Sequence, residues 1–499
     1  MAVLAVALAV LAAVRSSSAL HPPLPRGQAV TAAMRDPGVA TFLRENRYTA
    51  THVIALDREH WRVTFTDGPR TILDAAVGPA GKVDATEAHQ AGLHVRGSPT
   101  AWSPALVIGF TVLFALALGT RPLRSLRNLD AALIAGGFSL SAVLLDQRLV
   151  AAQVWVGAAT LAYVALRCGQ AGLGRPAPAV TAVLERPPLV RPTALVAGAL
   201  ALAGALITVT STGASDVAFA NLAGATHLNH GVMPYGNLTS DVVHGDTYPL
   251  LSYVLFMPVA AISPVRDSFD SLDPALWLNA AALLAAAALM ARLGGRAWAI
   301  AWLAFPPVLL AASAGGNDVP AALLVCAGLA AVGRPLWSAA FLALAGWVKI
   351  VPAAALVPAI ARAPRPGRAL AVVVALCAAG VVVVATGSLS DAWDAMRFQF
   401  ERGSWFSIWQ QTGTRGLQPV FQAGVVALAA VAALEVRRRR PGEMDLQRTA
   451  ALGGCLVALL QLSANYWTFT YVPWLLPFIL AGLFPRAPRR SPQPAPSAP

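Results

Sequence analysis

The chain has 499 residues, of which 57% are hydrophobic and only 12% charged, against roughly 25% charged in soluble domains. Apolar runs of about 15 to 20 residues, the length a helix needs to cross hydrocarbon, recur along most of it and exclude a soluble globular protein. The formal net charge of +13 does not signal nucleic acid, because most Lys and Arg fall in short loops between apolar runs, as the positive-inside rule expects.

The first run, MAVLAVALAVLAAV (1–14), is short and lacks a basic flank, so it reads as a membrane anchor or signal-like segment. Residues 15–102 form the one long water-soluble stretch. Within it QAVTAAMRDPGVATFLREN predicts a broken helix, and THVIALD, HWRVTFTD and PRTILDAAV alternate as strands, with Asp67-Gly68 as a turn signal. A small extracytoplasmic α+β domain is expected there; the pattern, ending in GPAGKVDAT, loosely resembles a PepSY-like module. Residues 103–167 hold three predicted membrane helices, near Pro104–Leu118, Ala131–Leu145 and Leu149–Leu166. A Pro- and Arg-containing cytoplasmic linker, 168–192, leads to a membrane core over 193–484, and residues 485–499 read as a disordered cytoplasmic tail.

In the core, spans are predicted near Thr193–Thr212, Ala275–Ala291, Ala297–Ser313, Pro320–Val332, Ala369–Thr386, Leu417–Val436, Ala451–Ala464 and Tyr466–Phe484. The arginine clusters at 121–127, 167–191, 292–296, 334, 362–368 and 437–440 should all be cytoplasmic. Alternating spans satisfy this only if YPLLSYVLFMPVAAI (248–262) does not fully cross and if 335–361 enters and returns. Two full crossings need roughly 40 residues, so 335–361 reads as a short helical hairpin with Lys349 at its apex. The expected fold is all-α and polytopic, with about 12 to 14 membrane helices including this re-entrant hairpin, and the small α+β domain outside.

The same bookkeeping puts 213–274, 314–318 and 387–416 on the external face, and these loops are unusually rich in polar and aromatic groups. The first holds Asp216, His227, His230, Tyr235, Asp241, His244, Asp246 and Tyr248; the second holds Asn317 and Asp318; the third holds Arg397, Glu401, Arg402, Arg415 and Trp405. SANYWTFTYVPW opens the last span from the same side. Polar groups converging on one face at the membrane boundary suit a substrate with a lipid tail and a polar head.

DVAF from Asp216, then NHGVMPYGN and TYPLLSYVLFMP, resemble the first external loop of the polyprenol-phosphate-sugar-dependent glycosyltransferases of the GT-C superfamily. GWVKIVPAAALVP and NYWTFTYVPWLLP are similar to later segments of glycosyltransferase family 87, the actinobacterial α-mannosyltransferases. The resemblance covers about residues 193–484. It departs in Tyr248-Pro249-Leu250, where the family has a double proline, in Phe219, where Tyr is common, and in the N-terminal extension. It implies a GT-C-like core that transfers a sugar, by the resemblance mannose, from polyprenyl phosphate to an extracytoplasmic glycolipid or glycan, with inversion.

Such a transfer needs a base for the acceptor hydroxyl and cations for the departing phosphate. Asp216, expected at the mouth of a span and partly desolvated, is the candidate base. Lys349, a lysine within an apolar run, and Arg402 and Arg397 are the candidates for donor phosphate; snorkelling of Lys349 and pairing of the arginines with Glu401 or Asp394 are the plain alternatives. Tyr235, Asp246, Tyr248, Asn317, Asp318, Trp405, Tyr466 and Trp467 are candidates for acceptor or sugar contacts. Asp246 and Asp318 read equally as helix caps, and the tryptophans as an interfacial belt. His227 and His230 stand at H-x-x-H spacing with His244 in the loop beyond, which is weak evidence for a metal, and no cofactor is expected. Expected partners are the polyprenyl-phosphate sugar, the acceptor and membrane lipids, with no nucleic acid, and the expected place is the cell membrane with the site outside. The same residues also fit a transporter or flippase of lipid-linked substrates, or a silent membrane scaffold.

Overall fold

A computed structural model describes residues 22–55, 60–67, 70–88, 104–147, 149–174, 189, 192–211, 214–238, 245–265, 271–401, 403–439 and 445–485. The 1–14 segment, Asp241, His244, Arg402, most of the 168–192 linker and nearly all of the 485–499 tail lie outside them.

The N-terminal unit opens with the helices α1 (Arg26–Arg35) and α2 (Pro37–Glu45), followed by the antiparallel strands β1 (Ala50–Ala55), β2 (Trp61–Asp67), β3 (Arg70–Val77) and β4 (Val83–Ala88), in the order β1-β2-β3-β4. The helix breaks where expected, at Asp36-Pro37. Proline suits the first turn, and the Asp36 carboxylate accepts from the Gly38 and Val39 amides over 3.0 and 3.1 Å. β4 was not anticipated: VDATEA carries too little apolar alternation to announce a strand, and it is recruited by pairing with β3. Val53, Val63, Phe65, Leu73 and Val77 pack on Ala29, Ala33 and Val39 as a core of their own.

Three helices follow: α3 (Pro104–Leu118), α4 (Leu126–Asp146) and α5 (Val150–Leu173). Two of them are locked by Arg167, whose Nε and Nη2 donate to the two oxygens of buried Asp130 over 2.8 and 2.9 Å, while the Tyr163 hydroxyl donates to Oδ1 over 2.6 Å. The core then runs α6 (Ala194–Val209), α7 (Asp216–Asn229), α8 (Leu250–Val254), α9 (Met257–Ile262), α10 (Asp273–Gly294), α11 (Arg296–Leu303), α12 (Pro306–Ser313), α13 (Asp318–Ala330) and α14 (Pro335–Val348). It closes with α15 (Leu356–Ala361), α16 (Pro366–Val384), α17 (Leu389–Glu401), α18 (Ile408–Gln411), α19 (Gln418–Arg438), α20 (Leu446–Leu462) and α21 (Leu476–Leu483).

Among the described residues five helices are long and apolar enough to cross a membrane (α4, α5, α10, α16 and the 415–438 segment), six if the bent pair α11–α12 is one span. Shorter apolar helices of 10–17 residues fill in between them. The chain is a helical membrane protein with a small α+β unit.

Two predicted spans are not continuous. The run 297–313 bends by 57° between α11 and α12, because Pro306 and Pro307 cannot continue the helix of α11. The run 466–484 is a 3-10 turn over Phe469–Tyr471 before α21 begins, and its irregular half carries side chains of the candidate site. The segment 248–262 is the pair of short helices α8 and α9, too short to cross, as the arginine pattern requires. The hairpin is also present. α14 ends at Lys349, whose extended backbone (φ −141°, ψ 126°) turns the chain into Val351–Ala355 and α15.

Contacts sort the loops onto two ends. At one end Arg127 donates to the Leu118 carbonyl, Arg437 to those of Ala361 and Ala363, and Arg439 to that of Leu173. At the other, Ser215 meets Ala314, Gln399 meets Thr247, and Phe406 and Ser407 meet Trp467 and Ala464.

Candidate active site

The second of these ends is built on two adjacent helix starts. Ser215 caps α7, accepting from the Ala218 amide, while its own amide and hydroxyl donate to the Ala314 carbonyl over 2.8 and 3.0 Å. Gly315 takes a left-handed φ of +70°, which a side chain would strain, so the chain can turn tightly and begin α13 at Asp318. The first turns of α7 and α13 are therefore neighbours. A β-carbon on Gly316 would lie 3.4 Å from Val217 Cγ1 and 3.7 Å from Asp318 Oδ2.

Beneath the turn, buried polar groups form a relay across three helices. The Asn317 amide donates to Ser252 Oγ, and the Ser252 hydroxyl donates to Asn221 Oδ1 over 2.8 Å. Asn279 on α10 donates to the Gly316 carbonyl over 2.9 Å. All four side chains are fully buried, and each bond fixes one element to the turn that presents Asp318.

Lys349 Nζ lies 3.4 Å from Asp318 Oδ1, and both side chains are nearly buried. The Trp474 indole donates to the same oxygen over 3.0 Å. The ammonium also sits 5.1 Å from the Tyr248 ring centre and 4.9 Å from that of Tyr471, so two π-faces share its charge. Asp318 starts α13 without any side-chain cap bond; its reading as a helix cap gives way to an ion pair.

The loop that carries Tyr248 is braced from within. Tyr235 donates to the Tyr248 carbonyl over 3.1 Å, Tyr253 donates to the Gly245 carbonyl over 2.9 Å, and the Tyr248 amide donates to the Tyr253 hydroxyl over 3.2 Å. Burial, and then the nearby Asp246 carboxylate, push the Tyr235 phenol up from its ordinary range, so it stays a neutral donor. Asp246 does not cap α8, which starts after Pro249 without a side-chain cap. It accepts instead from the Gly236 amide over 3.0 Å, tying the two sides of the loop together.

Not every candidate joins this group. Asp216 stands at the first position of α7 and is exposed, so the desolvation expected of it is absent; its Oδ1 accepts from the Val217 amide over 2.8 Å. Arg397 is exposed and paired to Glu401 over 2.6 Å. Trp467 is buried beneath α5 with its indole on Gln461, against Gly157, and belongs to the core. His230 Nδ1 lies 2.7 Å from the Thr226 carbonyl of its own helix. Tyr466, by contrast, lies between Phe406 and Tyr471, with ring centres 4.9 and 6.0 Å away. Trp405 packs on Phe406 at 6.0 Å, which extends the aromatic wall outward.

Sequence reasoning missed Asn221, Ser252, Asn279, Tyr471 and Trp474. A signal existed for the asparagines, because an amide on the apolar face of a helix demands a partner.

Residues 247–463 match the model of glycosyltransferase family 87. The matched segment, less than half of the chain, is similar to that family. That match, with the apolar helices around it, supports a membrane glycosyltransferase. No curated protein and no solved structure matches the chain. The matched segment includes Tyr248, Ser252, Asn317, Asp318 and Lys349 and leaves Asp216, Tyr235, Asp246, Tyr466 and Trp467 outside.

Proposed function

We propose that the protein transfers a sugar, by its resemblance mannose, from a polyprenyl-phosphate donor to a hydroxyl of a glycolipid or glycan acceptor. The transfer takes place on the extracytoplasmic side of the cell membrane. The observation that carries this reading is Lys349, a cation held at a hairpin apex between two aromatic rings and paired with Asp318, which directly follows the turn to which the Asp216 helix is fastened.

Lys349 supplies positive charge where the phosphate oxygens gather charge as the sugar departs, and its low-dielectric setting makes that charge count for more than it would in water. Asp318 positions the ammonium. Asp216, exposed at the rim, accepts the proton from the acceptor hydroxyl. The acceptor oxygen forms the new bond to the anomeric carbon, the bond from that carbon to the phosphate oxygen breaks, and polyprenyl phosphate leaves with the electron pair. Attack opposite the leaving group inverts the anomeric centre. Tyr248, Trp405 and Tyr466 line the sugar's approach and Asn317 holds the turn, while Arg397 and Arg402 meet phosphate from the 387–416 segment once Arg397 lets go of Glu401. The N-terminal α+β unit lies on the same side as the site.

The test is transfer from labelled polyprenyl-phosphate mannose by Asp216→Asn, assayed in membranes with matched protein levels. Transfer should fall by about 100-fold or more, the scale of a lost general base. Undiminished transfer removes Asp216 from the role.

A further inference from the structure

β2 is covered on both faces. Val63 and Phe65 enter the N-terminal core, while Arg62, Thr64 and Thr66 face the other way and are buried as well. Arg62 is only 8% exposed. Its direct cross-strand neighbours, Ile54 on β1 and Ala76 on β3, bring it no carboxylate, and Asp74, two residues along β3 on the same face, accepts from the Thr64 hydroxyl. What it meets is the membrane core: the guanidinium carbon lies 5.7 Å from the ring centre of Trp405, in the loop between α17 and α18.

A cation over an indole accounts for part of that contact, but it leaves hydrogen bonds unmade. Arg62 Nε and Trp405 Nε1 are both buried, and among the described residues neither has a partner. Buried donors are nearly always satisfied. Arginine and tryptophan side chains are donors only, so they cannot satisfy one another. Two orphan donors in one contact, one of them cationic, call for an anionic acceptor.

The place of the contact gives it meaning. From Trp405 the aromatic wall continues through Phe406, Tyr466 and Tyr471, with successive ring centres 6.0, 4.9 and 6.0 Å apart, and Lys349 lies over Tyr471 at 4.9 Å. The orphan donors stand at the outer end of the wall and the buried ion pair at the inner end.

We propose that Arg62 and Trp405 form an oxyanion site of the phosphate class, where the N-terminal unit meets the membrane core, and that it holds the phosphate of a lipid presented to the active site. The site itself rests on the orphan donors; only its link to transfer rests on the reading given under Proposed function. The phosphate of a polyprenyl lipid, the head of an anionic phospholipid and free phosphate share the required chemistry.

The experiment uses the full-length protein in phosphatidylcholine nanodiscs and measures binding of polyprenyl phosphate, phosphatidylglycerol and inorganic phosphate in separate arms. Wild type should bind at least one probe. Arg62→Gln and Trp405→Phe should each weaken that binding about tenfold, the equivalent of one hydrogen bond to a charged partner, with Arg62→Lys in between. The arm that weakens identifies the source. Trp405→Phe keeps the ring and loses only the N–H, so it decides the matter if Arg62→Gln does not fold. Wild-type affinity in both variants across all three arms overturns the proposal, as does a wild type that binds none of the probes. Asp216→Asn should bind like wild type, so a failure of the transfer chemistry is read separately from a failure of this site.

Discussion

Lys349 Nζ and Asp318 Oδ1 lie 3.4 Å apart, contributed by a hairpin apex and the first position of a helix, and the Trp474 indole shares the same oxygen. A buried ion pair is weak as a source of stability but costly to break, because one partner alone leaves an uncompensated charge.

From this it follows that Lys349→Met and Asp318→Asn should each destabilise the protein by about 3–5 kcal/mol, read as a fall in thermal midpoint in detergent. The double variant should recover much of the loss, since no charge is then stranded. Sugar transfer should stay abolished in that double variant. Recovery of both stability and transfer would show that the pair only holds the hairpin, and would remove Lys349 from the chemistry.

Ser252 joins Asn221 to Asn317. Ser252→Ala should orphan an acceptor on one asparagine and a donor on the other, at about 1–3 kcal/mol for each stranded group. Because Asn317 precedes Asp318, the turn should loosen, and the Michaelis constant should rise more than the turnover number falls. A thermal midpoint and kinetic constants equal to wild type would mean that the relay does not position the site.

Gly224 on α7 faces Tyr253 so closely that a β-carbon there would lie 2.3 Å from the ring. Gly224→Ala must displace a buried tyrosine that holds both Gly245 and Tyr248. Overpacking of this kind costs about 1–3 kcal/mol, and transfer should fall with it. Tyr253→Phe keeps the ring and removes only the hydroxyl, so it separates the packing loss from the loss of loop bracing. Wild-type stability and transfer in Gly224→Ala would show that the Tyr248 loop tolerates a shifted brace.

How much of this was legible follows from what each residue type constrains. Arginine placement located the hairpin apex at Lys349, because a charge inside an apolar run has few places to go. Pro306-Pro307 marks a break, yet hydropathy averaged over 297–313 hides it, and the bend had to be seen. β4 owes its state to a partner strand and not to its own pattern. The partner of Lys349 was equally out of reach: Asp318 in GGNDVP looks like an ordinary cap, and only the return of the hairpin beside α13 makes it a counter-ion. Asp216 erred in the opposite direction. Its position beside an apolar run suggested desolvation, whereas a first-turn aspartate on a helix fastened at the rim faces outward.

Side assignment can be tested directly. Cys168, Cys326 and Cys455 are buried and Cys377 is half-buried, so Cys377→Ala gives a background with little reactive thiol. On it, Asp216→Cys should react with a membrane-impermeant maleimide added outside intact cells, because residue 216 is exposed and sits at the end that gathers the polar loops. Arg438→Cys, at the exposed end of α19 among the arginines, should react only after the membrane is opened. The arginine rule and the two-ended sorting of contacts predict this order together. Labelling in the reverse order would put the Lys349 apex at the cytoplasmic face, and the donor would then have to be a lipid-linked sugar presented from inside.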